Sequence, residues 1–414
     1  MTPTIVKAAD AAQFLSFVPR LLGFRPTRSL VVIPFGGTRS LGAMRFDLPP
    51  DDASSVDRVA STVVGMVCRV AGADAIAAIV YTDDGFGGEG MPHRALLDAL
   101  AFRADACGLR VGDLLCVAAD AWASAFDADG PPGGRGLGEL EPEDDGGHLP
   151  LPAGDQASGA DLPEPDPGQR EGVARALREL RRALTQLCGP DAPEAESDAD
   201  AAEAAPAEPP APAHAPTADL GPVPAPVGGT AAEPASRDDA RVDPRALAAA
   251  CRLDDLPELF EAVLHEDPEA LDAYDHAALV WCLERPSLRD IALVQWSGNL
   301  AQGDEALAAQ LRWESGEEYP PHLAMRMWGD GEPPSPARLD VALQLVRAVA
   351  SSAPHEALAG PLAMCAWLSW ALGRSTHAGE YAQRACDVDP DHGLAQIVLS
   401  FVRAGHLPDW AFRR

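Results

Sequence analysis

The run most suggestive of chemistry is Gly85-Phe86-Gly87-Gly88-Glu89-Gly90. It fits G-x-G-x-x-G, a spacing whose small residues let backbone amides close around a phosphate at a helix start. Asp83, Asp84 and Glu89, however, put carboxylates where a pyrophosphate would lie. The strand expected before the run is also not the first of a βαβ unit, so we read it as a flexible glycine turn. Arg45 and Asp47 stand two apart in an apolar stretch, and residues so spaced on a strand share a face. They can pair with each other or meet a ligand together. Arg25, in a Gly-Phe-Arg-Pro turn, and Arg289-Asp290, at an expected helix start, are of the same kind. Arg25, Arg45, Asp47, Arg289 and Asp290 are therefore the candidate binding residues, with ion pairing inside the fold as the competing explanation.

No catalytic set emerges. The 10 histidines are dispersed, with no H-x-x-x-H or H-E-x-x-H, and the 8 cysteines form no C-x-x-C pair. There is no G-x-S-x-G elbow and no G-x-x-x-x-G-K-[ST] loop. No metal or other cofactor is expected. The cysteines sit singly in apolar surroundings and are read as reduced thiols serving as small core hydrophobes.

The formal net charge is −31, and the acidity is concentrated. The tracts 127–169 and 191–240 each hold a single arginine, Arg135 and Arg237, among many Asp and Glu. Such a chain repels phosphate, which argues against nucleic acid and against anionic membrane surfaces as partners. No uncharged apolar stretch approaches the roughly 20 residues of a membrane span. The amino terminus lacks the pattern of a signal peptide, so a cytoplasmic protein is expected, with another protein as its possible class of partner and its oligomeric state left open.

The elements that would position these residues begin with Phe14–Pro49. This stretch reads as a short helix, a turn, a buried strand over Leu30–Phe35, a turn at Gly36-Gly37, and a second strand over Leu41–Leu48 folding back as a hairpin. Val56, Val59, Val63, Met66, Val67 and Val70 recur at helical spacing up to Gly72. Ala75–Tyr81 is a continuous apolar run suited to a strand covered on both faces. A helix with Leu96, Leu97, Leu100, Phe102 and Ala106 inward and a strand over Asp113–Ala119 follow. This order predicts an α/β sandwich over 1–126 whose later strands are parallel.

From Asp127 to Gly168 the apolar period vanishes, and the segment is expected to be disordered. Within the acidic, Pro/Gly/Ala-rich linker 127–243, one amphipathic helix stands out at 170–188, with a seam of Val173, Leu177, Leu180, Leu184 and Leu187 flanked by arginines. It must either dock on its own chain or pair with a partner helix. The tract Pro190–Ala240 is expected to be extended and solvated.

Helical periodicity resumes at Pro244 and predicts an all-α domain over 244–410. Helices are expected near 244–252, 255–265, 268–284, 287–302, 303–312, 335–352, 356–373, 375–388 and 391–405, with Trp281, Trp296 and Trp367 as core anchors. The fold expected is thus an α/β sandwich and an all-α helical domain joined by an acidic disordered linker.

FVPRLLGFRPTRSLVVI, GAMRFDLP, SLRDIAL and the block from PLAMCAWLSW to AGHLP together resemble a bacterial domain of unknown function, the family numbered 4192, found mainly in high-GC Gram-positive bacteria. The resemblance covers about 1–125 and 245–410 and implies no activity, substrate or partner. Members often carry a cysteine- and proline-containing loop after a tryptophan. Here Trp122 is kept but ASAFDADGPPGGRG has no cysteine, which implies that any metal or redox role of that loop is lost. Gly373, Ala378, Ala385 and Pro390, with Ala366, also resemble one tetratricopeptide-type hairpin, a spacing that any antiparallel helix pair can share. Two functions stay in view: a noncatalytic interaction or scaffold protein, and an enzyme or small-ligand sensor with its site at the carboxyl ends of the strands.

Overall fold

The computed structural model describes residues 10–87, 90–140, 152–164, 167–189 and 242–412. Helix α1 (Ala11–Leu22) is capped by Asp10, whose carboxylate accepts from the Gln13 amide at 2.8 Å, and it ends at Gly23, which takes a φ of +80°. The sheet contains β1 (Ser29–Gly36), β2 (Arg39–Ser40), β3 (Met44–Asp47), β4 (Ala75–Tyr81), β5 (Arg110–Val117), β6 (Ala121–Ser124) and β7 (Arg135–Gly136). Their order is β2-β1-β4-β5-β6-β7, with β3 also on β1. β1 is antiparallel to β3 and β4, β4 is parallel to β5, and β6 and β7 continue antiparallel. Every residue of β4 is buried, as its unbroken apolar run requires.

The second strand of the hairpin is shorter than expected. Pro34 has no N–H to give to the hairpin side, where its carbonyl accepts from Leu41 N at 2.8 Å, and Gly42 takes a φ of +127°. Of the expected strand Leu41–Leu48 only Met44–Asp47 is kept, as β3, while β2 forms in the stretch read as the connection.

Helices α2 (Ala53–Arg69) and α3 (Arg94–Ala106) cover one face of the sheet, and α1 covers the other. Leu96, Leu97, Leu100 and Ala104 are the inward residues of α3. Phe102 and Ala106 face solvent, contrary to expectation, because the helix turns its Leu96–Leu100 stripe to the sheet and both lie off it.

The acidic stretch after Asp127 is ordered in two pieces, correcting the expectation of disorder to Gly168. Residues 127–140 add β7 to β6, ion-pair Arg135 with Asp127 at 2.6 Å and pack Leu137 and Leu140 on the α1 face. Residues 152–164 run between the lobes: Gly154 O accepts from Arg25 N at 2.8 Å, while Ala160 and Leu162 join the helical core. A few apolar and hydrogen-bonding anchors order these segments despite their composition. Residues 141–151 and the Pro190–Ala240 tract lie outside the described residues.

Helix α4 (Pro167–Cys188) docks on its own chain, with Val173, Leu177, Leu180 and Leu184 buried and Leu187 exposed. The helical lobe continues as α5 (Pro244–Arg252), α6 (Leu256–Ala262), α7 (Ala273–Leu283), α8 (Pro286–Ser297), α9 (Leu300–Glu314), α10 (Pro321–Met327), α11 (Pro336–Ser352), α12 (Ala359–Ala371), α13 (Ser375–Val388) and α14 (Gly393–Ala404). An Asp272/Asp275 capping box starts α7 later than the apolar pattern suggested. Gly298 and the Asn299 cap place the α8–α9 break four residues earlier than expected, and α10 is an additional short helix. Trp296 and Trp367 are fully buried, their indoles donating to Phe260 O and Met327 O at 3.0 Å each. Among the described residues no helix is long and apolar enough to cross a membrane.

Candidate functional site

The carboxyl end of β4 gives way to Thr82, and that of β5 to a tight turn into β6. Thr82 N donates to Val117 O and Ala119 N to Asp84 O, both at 3.0 Å, so the parallel pair stays joined past its last ladder bond. The Thr82 hydroxyl accepts from Asp84 N at 3.2 Å and donates to the Asp84 carboxylate at 3.1 Å. Asp120 reaches back and accepts from Phe86 N at 2.9 Å. A Cβ on Gly85 would stand 2.9 Å from that carboxylate, so the first glycine of the run makes room for Asp120 and not for a phosphate.

His93 stands at the N-cap position of α3 in a left-handed backbone at φ +52°, a conformation that non-glycine residues rarely adopt and that is held against a cost. Its side chain is only 8% exposed. Nδ1 lies 3.0 Å from an Asp51 oxygen, and Nε2 lies 3.3 Å from both Asp84 Oδ2 and Thr82 Oγ1. The Nδ1 contact is an ion-pair distance without hydrogen-bond alignment. The ring thus joins the start of α2, the end of β4 and the start of α3, while Asp51 and Asp84 remain largely exposed. An imidazole facing carboxylates at both nitrogens is oriented to hold or pass a proton at Nε2. Below it, burial with the Asp84 charge pushes the Cys116 thiol up to about 12, leaving it an inert core group. Beside the glycine run is a cavity of about 140 Å³ lined by Phe86, Met91, Ser124, Asp127, Pro131 and Arg135.

The residues proposed from sequence lie elsewhere. Arg25 holds the 152–164 segment, its Nε donating to Pro152 O at 3.1 Å. Arg45 donates from Nε to Ser29 Oγ at 2.7 Å, pairs with Asp47 at 2.6 Å and reaches Thr376 of the helical lobe at 3.3 Å. Arg289 and Asp290 pair at 3.0 Å on α8, with the arginine side chain buried. Arg25 and Arg45 serve the junction of the lobes, Arg289 and Asp290 belong to the helical lobe, and the five are not gathered into one site.

His93, Thr82 and Asp51 carried no signal in the sequence: no motif joins the three, and Asp51 lies before α2, far along the chain from the histidine. Position alone could have found them, because the end of a buried strand preceding a helix is where open α/β sheets expose polar groups.

A second depression, about 630 Å³ and wide open, lies between α4 and residues 354–356, lined by Glu164, Arg170, Glu171, His355 and Glu356. Among the described residues no group of three His, Cys, Asp or Glu is placed to hold a metal ion. The sequence profile of a family described as Domain of unknown function (DUF4192) matches residues 12–332 and 335–409. No curated protein and no solved structure matches the chain.

Proposed function

This chain belongs to the DUF4192 family, whose description assigns no function, and we propose from the site itself that the protein binds a small polar ligand at the carboxyl edge of β4 and β5. The observation that carries the reading is His93, held in a left-handed backbone with each ring nitrogen opposite a carboxylate. A strained, buried imidazole at the strand ends of an α/β sheet lies where strained residues cluster and where open sheets bind ligands. The exposed Asp51 and Asp84 carboxylates favour a ligand carrying an amine or several hydroxyls. His93 and Thr82 would orient it, as sensor or as acid–base group.

A thermal-shift screen of the full chain against amines, amino acids, polyols and nucleotides tests this. A saturable rise in Tm with an amine or polyol is expected, because a ligand at about 100 times its Kd adds about 2.7 kcal/mol. His93→Asn, which tolerates the left-handed backbone, and Asp84→Asn should each abolish the rise while the protein still melts cooperatively. A rise that both variants retain would place the ligand elsewhere.

The second reading is a noncatalytic cytoplasmic interaction protein, favoured by the open depression beside α4. Its carboxylates suit a basic segment of a protein partner. Under that reading, Glu171→Lys with Glu356→Lys releases a partner captured by the native protein, and His93→Asn does not.

A further inference from the structure

Four cysteines, Cys68, Cys107, Cys188 and Cys251, are exposed, and only Cys116, Cys282 and Cys365 are fully buried, so the expectation of uniformly core thiols needs correcting. The exposed ones lie at or beside helix ends, where the apolar face no longer points inward. Two of them lie close together. Both α2 and α3 lead from one strand to the next parallel one on the same face of the sheet, so they run side by side in the same direction and end level. Arg103 fixes that register by bonding Ser61 Oγ at 3.1 Å and pairing with Asp57. Cys68 is the last residue but one of α2, and Cys107 is the residue that ends α3. The strands that follow the two helices start in register, Ala75 beside Arg110, which brings both cysteines to one exposed edge, where the Cys107 sulfur helps to push the Cys68 thiol up.

We propose that Cys68 and Cys107 are a reversible disulfide site that locks the carboxyl ends of α2 and α3 together beneath the junction of the lobes. Two accessible thiols at the level ends of neighbouring helices are placed to bond, which cysteines on separated elements are not. The oxidant is a low-molecular-weight disulfide. One thiolate displaces half of it to form a mixed disulfide, and the second cysteine, after losing its proton to water, displaces the other half. Two protons and two electrons leave the cysteines, and the small disulfide is reduced to two thiols. Cys68 is followed by Arg69, whose guanidinium lies 2.5 Å from Asp409 and 4.0 Å over the Phe412 ring. The Met66 methyl lies against Gly405. The bond would therefore fix the turn that holds the end of the helical lobe. In the reduced state, burial and the neighbouring sulfur push the Cys68 thiol up, which slows the exchange at neutral pH and makes it faster in mildly alkaline solution.

The test treats the full chain with oxidised glutathione and maps it by non-reducing trypsin digestion. The expected product joins the peptide ending at Arg69 to the one running from Ala104 to Arg110, in a protein that stays monomer-sized on a non-reducing gel. The oxidised form should melt roughly 5 °C higher, and dithiothreitol should reverse the shift. Cys68→Ser and Cys107→Ser should each remove both the cross-link and the shift. Separate glutathione adducts on the two cysteines, cross-links through Cys188 or Cys251, or a cross-link without a rise in Tm would each overturn the proposal.

Discussion

At His93 the backbone and the side chain make opposite demands. The φ of +52° would suit glycine or asparagine, yet the ring is held by Asp51, Asp84 and Thr82. If that geometry is kept for the ring, urea unfolding should put His93→Gly and His93→Asn within about 1 kcal/mol of the native protein, since relief of strain offsets lost contacts. His93→Val should cost more than about 2 kcal/mol, because a branched Cβ fits this region poorly. Glu261 is a residue of the other kind, structural and strongly coupled. Arg338 donates to it from Nη1 at 2.8 Å and from Nη2 at 2.5 Å, with Gln295 at 3.0 Å, and this holds its carboxyl down from 4.5 to about 2 against the cost of burial. A depressed carboxylate stabilises the fold above its unfolded pKa, and that stability is lost as the pH falls from about 4.5 towards 2. Glu261→Gln should therefore cost about 2 kcal/mol at neutral pH and flatten the acid limb of a Tm-against-pH curve in that window, whereas an unchanged limb would show that the pair contributes nothing.

At the scale of elements, α4 shows how far periodicity reads and where it stops. The seam identified its buried face from Val173 to Leu184, and the arginine beside it pairs as charge suggested, Arg181 with Glu284 at 3.0 Å. Leu187 continues the same period but overhangs the packed surface and is 55% exposed, a difference no spacing rule contains. Leu177→Asp or Leu184→Asp should each cost about 3 to 5 kcal/mol and open the segment to trypsin without changing the mass seen by light scattering, while Leu187→Asp should stay within about 0.5 kcal/mol. The buried run of β4, the hairpin and most of the C-terminal helices were legible because each follows from local pattern and local stops. The 152–164 segment was not, since what orders it is distant: Gln156 bonds Thr27, and Arg384 bonds Ala160 O. Nor was 127–140, whose Leu137 and Leu140 pack on the distant α1 face while its acidic composition hid the short strand β7. The candidate site was illegible for the same reason, its parts being drawn from Asp51, Thr82 and His93 on three separate connections.

At the scale of the molecule, the question is whether the lobes behave as one. Among the described residues three groups of polar ties join them, beside the Arg25 bonds to residues 152–154, the Met66 methyl at Gly405, and the seat of Ala160 and Leu162 in the helical core. The Gln156 amide exchanges hydrogen bonds with the Thr27 backbone at 3.0 and 3.1 Å, and the same segment binds Arg384 and Arg347. Arg45 reaches Thr376, and Arg69 meets Asp409 and Phe412. Each tie is polar and partly exposed, so each alone stabilises little. Together they act differently, because any one that holds keeps the others at high effective concentration. Gln156→Ala and Arg69→Ala should therefore each shift a single calorimetric transition only slightly, whereas the double variant should lose more than the sum and separate into two transitions as the lobes melt independently. A double variant that still unfolds in one step, with additive shifts, would mean that the lobes are coupled by packing rather than by these ties, and a disulfide at Cys68 would then have no lever on the helical lobe.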